Sequence, residues 1–182
     1  MWHILKTTAK HFFHSLQAAD EIEAERIRRE GCRCGGRLHR ADYPRKPRGV
    51  PEECESLVSR RISFCCAEPN CRRRTTPPSV RFLGRRVYVA AFVLMVSASW
   101  VSTREAQVPR RTARRWRVFF TKQLVEAAQW QERRAWFMPP LDESALPGSL
   151  MSRFAGGRDN ALFLSLVFLA PMGGIPMQSA GR

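Results

Sequence analysis

The stretch from Cys65 to Arg86 reads CCAEPNCRRRTTPPSVRFLGRR. It holds three of the chain's six cysteines and six arginines: Arg72, Arg73, Arg74, Arg81, Arg85 and Arg86. An arginine run alone is a solvated face. Thiols at ligand spacing beside it, with Pro77-Pro78 behind, turn the reading to a metal-pinned turn that carries positive charge. The matching half lies upstream in Gly31-Cys32-Arg33-Cys34-Gly35-Gly36, where glycines let the backbone turn tightly enough for two thiolates to face one point. A tetrahedral zinc ion needs four ligands, and two short-range pairs supply them. The predicted set is Cys32, Cys34, Cys66 and Cys71, spaced C-x-C and C-x4-C with 31 residues between the pairs. Cys65 competes with Cys66, because neighbours on a strand point to opposite faces. Cys54 reads as a free thiol and His39 as an exposed imidazole.

Between the pairs, HRADYPRKPRGVP excludes a regular helix or a central strand. Leu57 to Cys65, LVSRRISFC, reads as one strand with Ile62 and Phe64 on one face. Residues 31–83 thus have the plan of a zinc ribbon, two cysteine turns joined by an extended hairpin.

The charge is local. The formal net charge is +15, and residues 61–122 carry 14 Lys+Arg against 2 Asp+Glu, whereas residues 123–182 carry 5 against 5. A concentrated basic surface implies a polyanionic partner. MWHILKTTAKHFFHSLQ at the N-terminus has no apolar signal-peptide region. Six cysteines in a chain without an export signal read as ligands or thiols before disulfides. The longest apolar runs, Val87–Trp100 and Ala161–Ala170, are too short to cross a bilayer. The expectation is a soluble, cytoplasmic chain with no membrane contact.

Cys32-x-Cys34-Gly35-Gly36, the pair Cys66 and Cys71, and the following Arg72-Arg73-Arg74-Thr75-Thr76-Pro77-Pro78-Ser79-Val80 resemble the transposase-type zinc ribbon of bacterial insertion sequences. In that family a basic, Thr-containing turn follows the last cysteine pair, and a helix-turn-helix often lies next to it. The resemblance implies zinc and double-stranded DNA binding over residues 31 to about 125. The sequence leaves open whether a separate catalytic transposase subunit is a further partner. It does not cover residues 1–30, and the cysteine spacing departs from the usual C-x2-C.

Residues 84–137 read as helical. RRVYVAAFVLMVSASW is apolar nearly all round, as a central bundle helix is. A short helix is predicted over Thr103–Gln107, with Ser102 as N-cap and Glu105 completing a capping box. After Val108-Pro109, a longer helix runs to Phe137. Trp116, Phe119, Phe120 and Leu124 face inward on it, and Arg110, Arg111, Arg114, Arg115 and Arg117 cluster on the other side. A short helix, a turn and an arginine-rich helix start make the plan of a helix-turn-helix, so these arginines join Arg72, Arg73 and Arg74 as predicted nucleic-acid contacts.

The flanks say less. Residues 1–30 read as a helical extension that docks loosely or is partly disordered, with His3, His11 and His14 as surface or packing histidines. Residues 138–182 read as a tail whose short apolar helix, Ala161–Ala170, is stopped by Pro171. The acids after the ribbon are Glu105, Glu126, Glu132, Asp142, Glu143 and Asp159, with no alternating strand-helix pattern around them, and no His lies beyond residue 39. That composition argues against a carboxylate-triad nuclease core and against a hydrolase. The expected fold class is α+β, a small β zinc ribbon followed by a helix-turn-helix bundle. The expected function is DNA binding, with an RNA-binding zinc ribbon or an adaptor with structural zinc as the alternatives.

Overall fold

A Thr, a long amphipathic stretch and a Gly set the first element. In the computed structural model, which describes residues 2–5, 7–84 and 87–175, helix α1 spans Ala9–Glu30. Thr8 caps it by accepting from the His11 N–H at 3.3 Å, and Gly31 ends it at φ +76° with its N–H bonded to the Ile27 carbonyl. Phe12, Phe13 and Leu16 from its first half enter a large helical core, and Ala24 from its second half enters a separate small core under the cysteines. The loosely docked extension expected from the sequence is therefore corrected: α1 joins both cores.

The small core lies under a three-stranded antiparallel sheet. After α1 come β1 (Leu38–Arg40), β2 (Tyr43–Pro44), a 3-10 turn Glu52–Cys54, α2 (Glu55–Val58), β3 (Arg60–Arg61), β4 (Phe64–Cys66) and β5 (Arg74–Thr75). The sheet order is β1-β4-β5, with Leu38 opposite Cys66 and Phe64 opposite Thr75, while β2 and β3 form a second, two-stranded ribbon. The single strand expected over Leu57–Cys65 is instead α2 followed by two short strands. Leu57 and Val58 turn helical because they cover α1 and the large core, while Ile62 and Phe64 serve the small one.

The helical part is built on α3 (Ala90–Ser97), whose eight residues are all buried. It is shorter than the apolar run suggests, because Tyr88 bridges to Arg48 in extended backbone and Val87 is exposed. Gly49, at φ +72°, passes so close to the Phe92 ring that a Cβ there would sit 2.4 Å from it. The expected helix over Thr103–Gln107 is one hydrogen-bonded turn. The Ser102 hydroxyl does cap it, accepting from the Glu105 N–H at 3.1 Å, but Gln107 at φ +53° closes it at once.

The long helix expected to Phe137 is broken in two. Helix α4 (Arg110–Val118) runs into a π-helical turn, Phe119–Gln123, and α5 (Ala128–Arg134) starts anew after Ala127 turns extended. The break lets Trp130 bury completely with its Nε1–H donated to Glu143 at 2.7 Å. Helices α6 (Gly148–Met151) and α7 (Arg158–Leu169) complete the core, and α7 packs on α3 before passing into a 3-10 turn, Ala170–Gly174, around Pro171. The fold class is α+β. Among the described residues no helix is long and apolar enough to cross a membrane.

Candidate metal centre and nucleic-acid interface

Strand pairing brings the cysteines together. Leu38 pairs with Cys66, so the turn before β1 and the end of β4 lie side by side. The Sγ atoms of Cys32, Cys34, Cys66 and Cys71 all fall within 4.8 Å of one another. Cys32 and Cys71 are 3.7 Å apart and Cys34 and Cys66 3.5 Å apart. Four thiolates around a tetrahedral zinc at about 2.3 Å would be separated by about 3.8 Å. The cluster can therefore hold a metal ion, and these sulfurs are not at disulfide distance.

The backbone is shaped for the same purpose. In the first turn the Cys32 N–H bonds the Gly36 carbonyl at 2.9 Å and the Gly35 N–H bonds the Cys32 carbonyl at 2.8 Å, with Gly35 at φ +84°. A Cβ on Gly36 would lie 2.8 Å from Cys66 Sγ and 2.5 Å from Glu68 Cγ, so only glycine fits between the two turns. The second turn closes through the Cys71 N–H to the Glu68 carbonyl, and Arg72 leaves it at φ +45°. Backbone N–H groups of Cys34, Glu68 and Arg73 are directed at the sulfurs of Cys32, Cys66 and Cys71. The first of these lowers the Cys32 thiol to about 7, whereas burial pushes Cys66 up to about 12. A bound cation would favour the thiolate at both.

The competition between Cys65 and Cys66 is resolved by strand alternation. Cys66 is buried in the cluster, while the Cys65 thiol points the other way, toward the Arg72 carbonyl. Cys54 is fully buried in the large core, where burial raises its pKa, and His39 is exposed on β1 opposite Cys65. Neither is in the cluster.

The predicted nucleic-acid contacts divide. Arg72 and Arg73 are exposed and have no side-chain partner among the described residues. Arg74 leans over the Tyr43 ring at 5.8 Å. On α4, Ala113 and Trp116 face the core, with Trp116 edge-on to Tyr88 at 5.0 Å and to Phe92 at 6.2 Å. Arg110, Arg111, Arg114 and Arg117 are exposed and Arg115 half-buried, and none of the five has an ion-pair partner among the described residues. Arg81 does not belong to this surface: it is buried and paired with Asp20. Arg85 and Arg86 lie outside the described residues.

Asp20 and Arg61 are the residues that the sequence reading missed. Asp20 occupies a core position in the stripe Phe13, Leu16, Asp20, Ala24, and an acid on an apolar face is the signal that marks it. Arg61 is 5% exposed although it sits in a strongly basic stretch.

No protein-family model, no curated protein and no solved structure matches this chain. Its functional class rests on the site's own geometry.

Proposed function

We propose that this chain is a zinc-dependent DNA-binding protein resembling the recognition part of a transposase, without nuclease activity of its own. One observation carries the reading. The turn that would be pinned by the metal through Cys71 continues directly into Arg72 and Arg73, which are exposed with no protein partner among the described residues. A metal here fixes the direction in which those cations leave the sheet. Zinc suits four clustered thiols better than the hard cations do, because soft thiolates select it.

The second surface is α4, a short helix that follows the turn closed by Gln107. Its core side is Trp116, and its other side carries arginines free of internal carboxylates. Arginine there can clamp phosphate or read guanine in the major groove. The acids beyond the sheet are tied up in structure where their partners are seen. Asp142 accepts from the Ser144 N–H and hydroxyl, Glu143 pairs with Arg134 and Trp130, and Asp159 accepts from the Thr7 N–H and hydroxyl. Beyond Thr75 the described residues form no strand except the bridge at Tyr88, so no sheet presents these acids as a metal-binding triad.

The test is a salt titration of duplex binding. Replacing Arg72 and Arg73 with Gln should weaken binding to all sequences and lower the salt slope by about one for each phosphate no longer neutralised. Replacing Arg110 or Arg114 should cost about 1–3 kcal/mol on a preferred duplex and much less on random DNA. Absence of duplex binding at low salt would sink the reading. Preference for structured RNA would move it to RNA.

A further inference from the structure

A second basic feature is a cleft with no cysteine among the described residues of its wall. It has a volume of about 780 Å³ and is lined by Tyr43 and Arg45 around β2, Arg61 of β3, Arg74 of β5, the Pro77–Phe82 segment and the 3-10 turn after α7. No Asp or Glu is among the described residues that line it. Three guanidinium groups and a phenol share one concave wall.

Arg61 is the informative member. It is 95% buried, one of its Nη2–H groups is donated to the Pro77 carbonyl, and its Nη1 has no hydrogen-bond partner among the described residues. It has no ion-pair partner there either, because the nearest buried acid, Asp20, is taken by Arg81, Ser79 and the Val80 N–H. Burial holds the Arg61 guanidinium below its ordinary range, and Arg81 and Arg45 act in the same direction against the opposing pull of Asp20. A buried cation without a counter-charge is costly, and a neighbouring anion removes that cost. The Phe82 ring lies under Arg45 at 5.1 Å and under Arg61 at 5.8 Å, within cation–π range of both guanidinium groups.

We infer that this cleft is a phosphate-binding site, in which Arg61, Arg45 and Arg74 neutralise one phosphate group and Tyr43 donates to it. Planar guanidinium forks suit tetrahedral oxyanions, and the volume admits a phosphorylated nucleotide as readily as inorganic phosphate. The inference stands apart from the duplex reading, which rests on Arg72, Arg73 and α4. The phosphate could be that of a small free molecule or one of a nucleic-acid backbone.

The experiment is calorimetric titration of the full chain with inorganic phosphate against sodium chloride at matched ionic strength. Three variants accompany it: Arg61→Gln, Gly174→Asp and, as a control outside both basic surfaces, Arg26→Gln on α1. Gly174 lines the cleft and a Cβ there meets nothing within 4 Å, so Gly174→Asp adds a carboxylate to the lining without a steric clash, even if Arg61→Gln fails to fold. The parent should bind phosphate saturably, Gly174→Asp should weaken this by about 10-fold or more, and Arg26→Gln should not change it. A parent that shows no saturable phosphate binding over chloride, or a Gly174→Asp variant that binds as the parent does, would overturn the site. Duplex competition then assigns the source. If phosphate displaces duplex DNA and Gly174→Asp weakens duplex binding, the cleft holds backbone phosphate. If phosphate binds while Gly174→Asp leaves duplex affinity intact, it holds a small phosphorylated molecule.

Discussion

The Asp20 carboxylate on α1 accepts from Arg81 Nε at 2.7 Å, across 61 residues of chain, with both side chains at most 4% exposed. The same carboxylate accepts from the Ser79 hydroxyl at 2.6 Å and the Val80 N–H at 2.7 Å. Arg81 in turn donates to the Leu57 carbonyl. One acid thus ties α1, the end of α2 and the segment leaving the sheet into a single joint between the two cores.

Asp20→Ala should therefore be severe. It leaves a buried guanidinium, a hydroxyl and a backbone N–H without their acceptor, a loss of about 3–5 kcal/mol. Urea unfolding gives the value directly. Glu21→Ala, one residue on, removes an exposed pair with Arg40 and should cost less than about 1 kcal/mol. Similar losses for the two variants would contradict the joint.

Trp116 is the anchor of α4. It is 2% exposed and wedged edge-on against Tyr88 and Phe92. Trp116→Ala should cost about 3–5 kcal/mol. Amide exchange should show α4 opening first, since Ala113 is its only other buried residue. An unchanged exchange pattern would mean that α4 is held elsewhere.

Much of this was legible in the residues, and the failures have physical reasons. The cysteine turns could be read because glycine spacing and strand alternation are local rules, and the structure brings those four thiols together. The apolar run of α3 was visible because a helix buried on every side has no polar face to hide it. Asp20 was not seen because its meaning depends on partners 59 to 61 positions away. Arg61 and Arg81 were counted as surface charge, since a charge count does not say which cations are buried. The break after Gln123 follows from burying Trp130, a tertiary demand that overrides an unbroken helical pattern.

The cysteine cluster makes its own prediction. Freshly purified, reduced protein should contain about one zinc per chain. Cys71→Ser should release it and unfold the small sheet, whereas Cys65→Ser and Cys54→Ala should keep it, since neither thiol is in the cluster. Metal analysis by mass spectrometry decides, and retention of full zinc by Cys71→Ser would overturn the ligand set.

Gly36→Ala tests the fit between the two turns without touching a ligand. Its Cβ would collide with Cys66 Sγ and Glu68 Cγ, so metal affinity should fall by about 10–100-fold. Competition with a chelator of known affinity measures it, and parent-like affinity would show that the turns need not approach so closely.

On the proposed reading, a metal-pinned turn presents this chain's cations to duplex DNA. The most direct test of that reading is duplex affinity measured on one preparation before zinc removal, after it, and after zinc is restored. Duplex affinity should fall at least about 10-fold on chelation and return with zinc, because a bound metal would fix the direction of Arg72 and Arg73. Affinity that is unchanged through all three steps would contradict it.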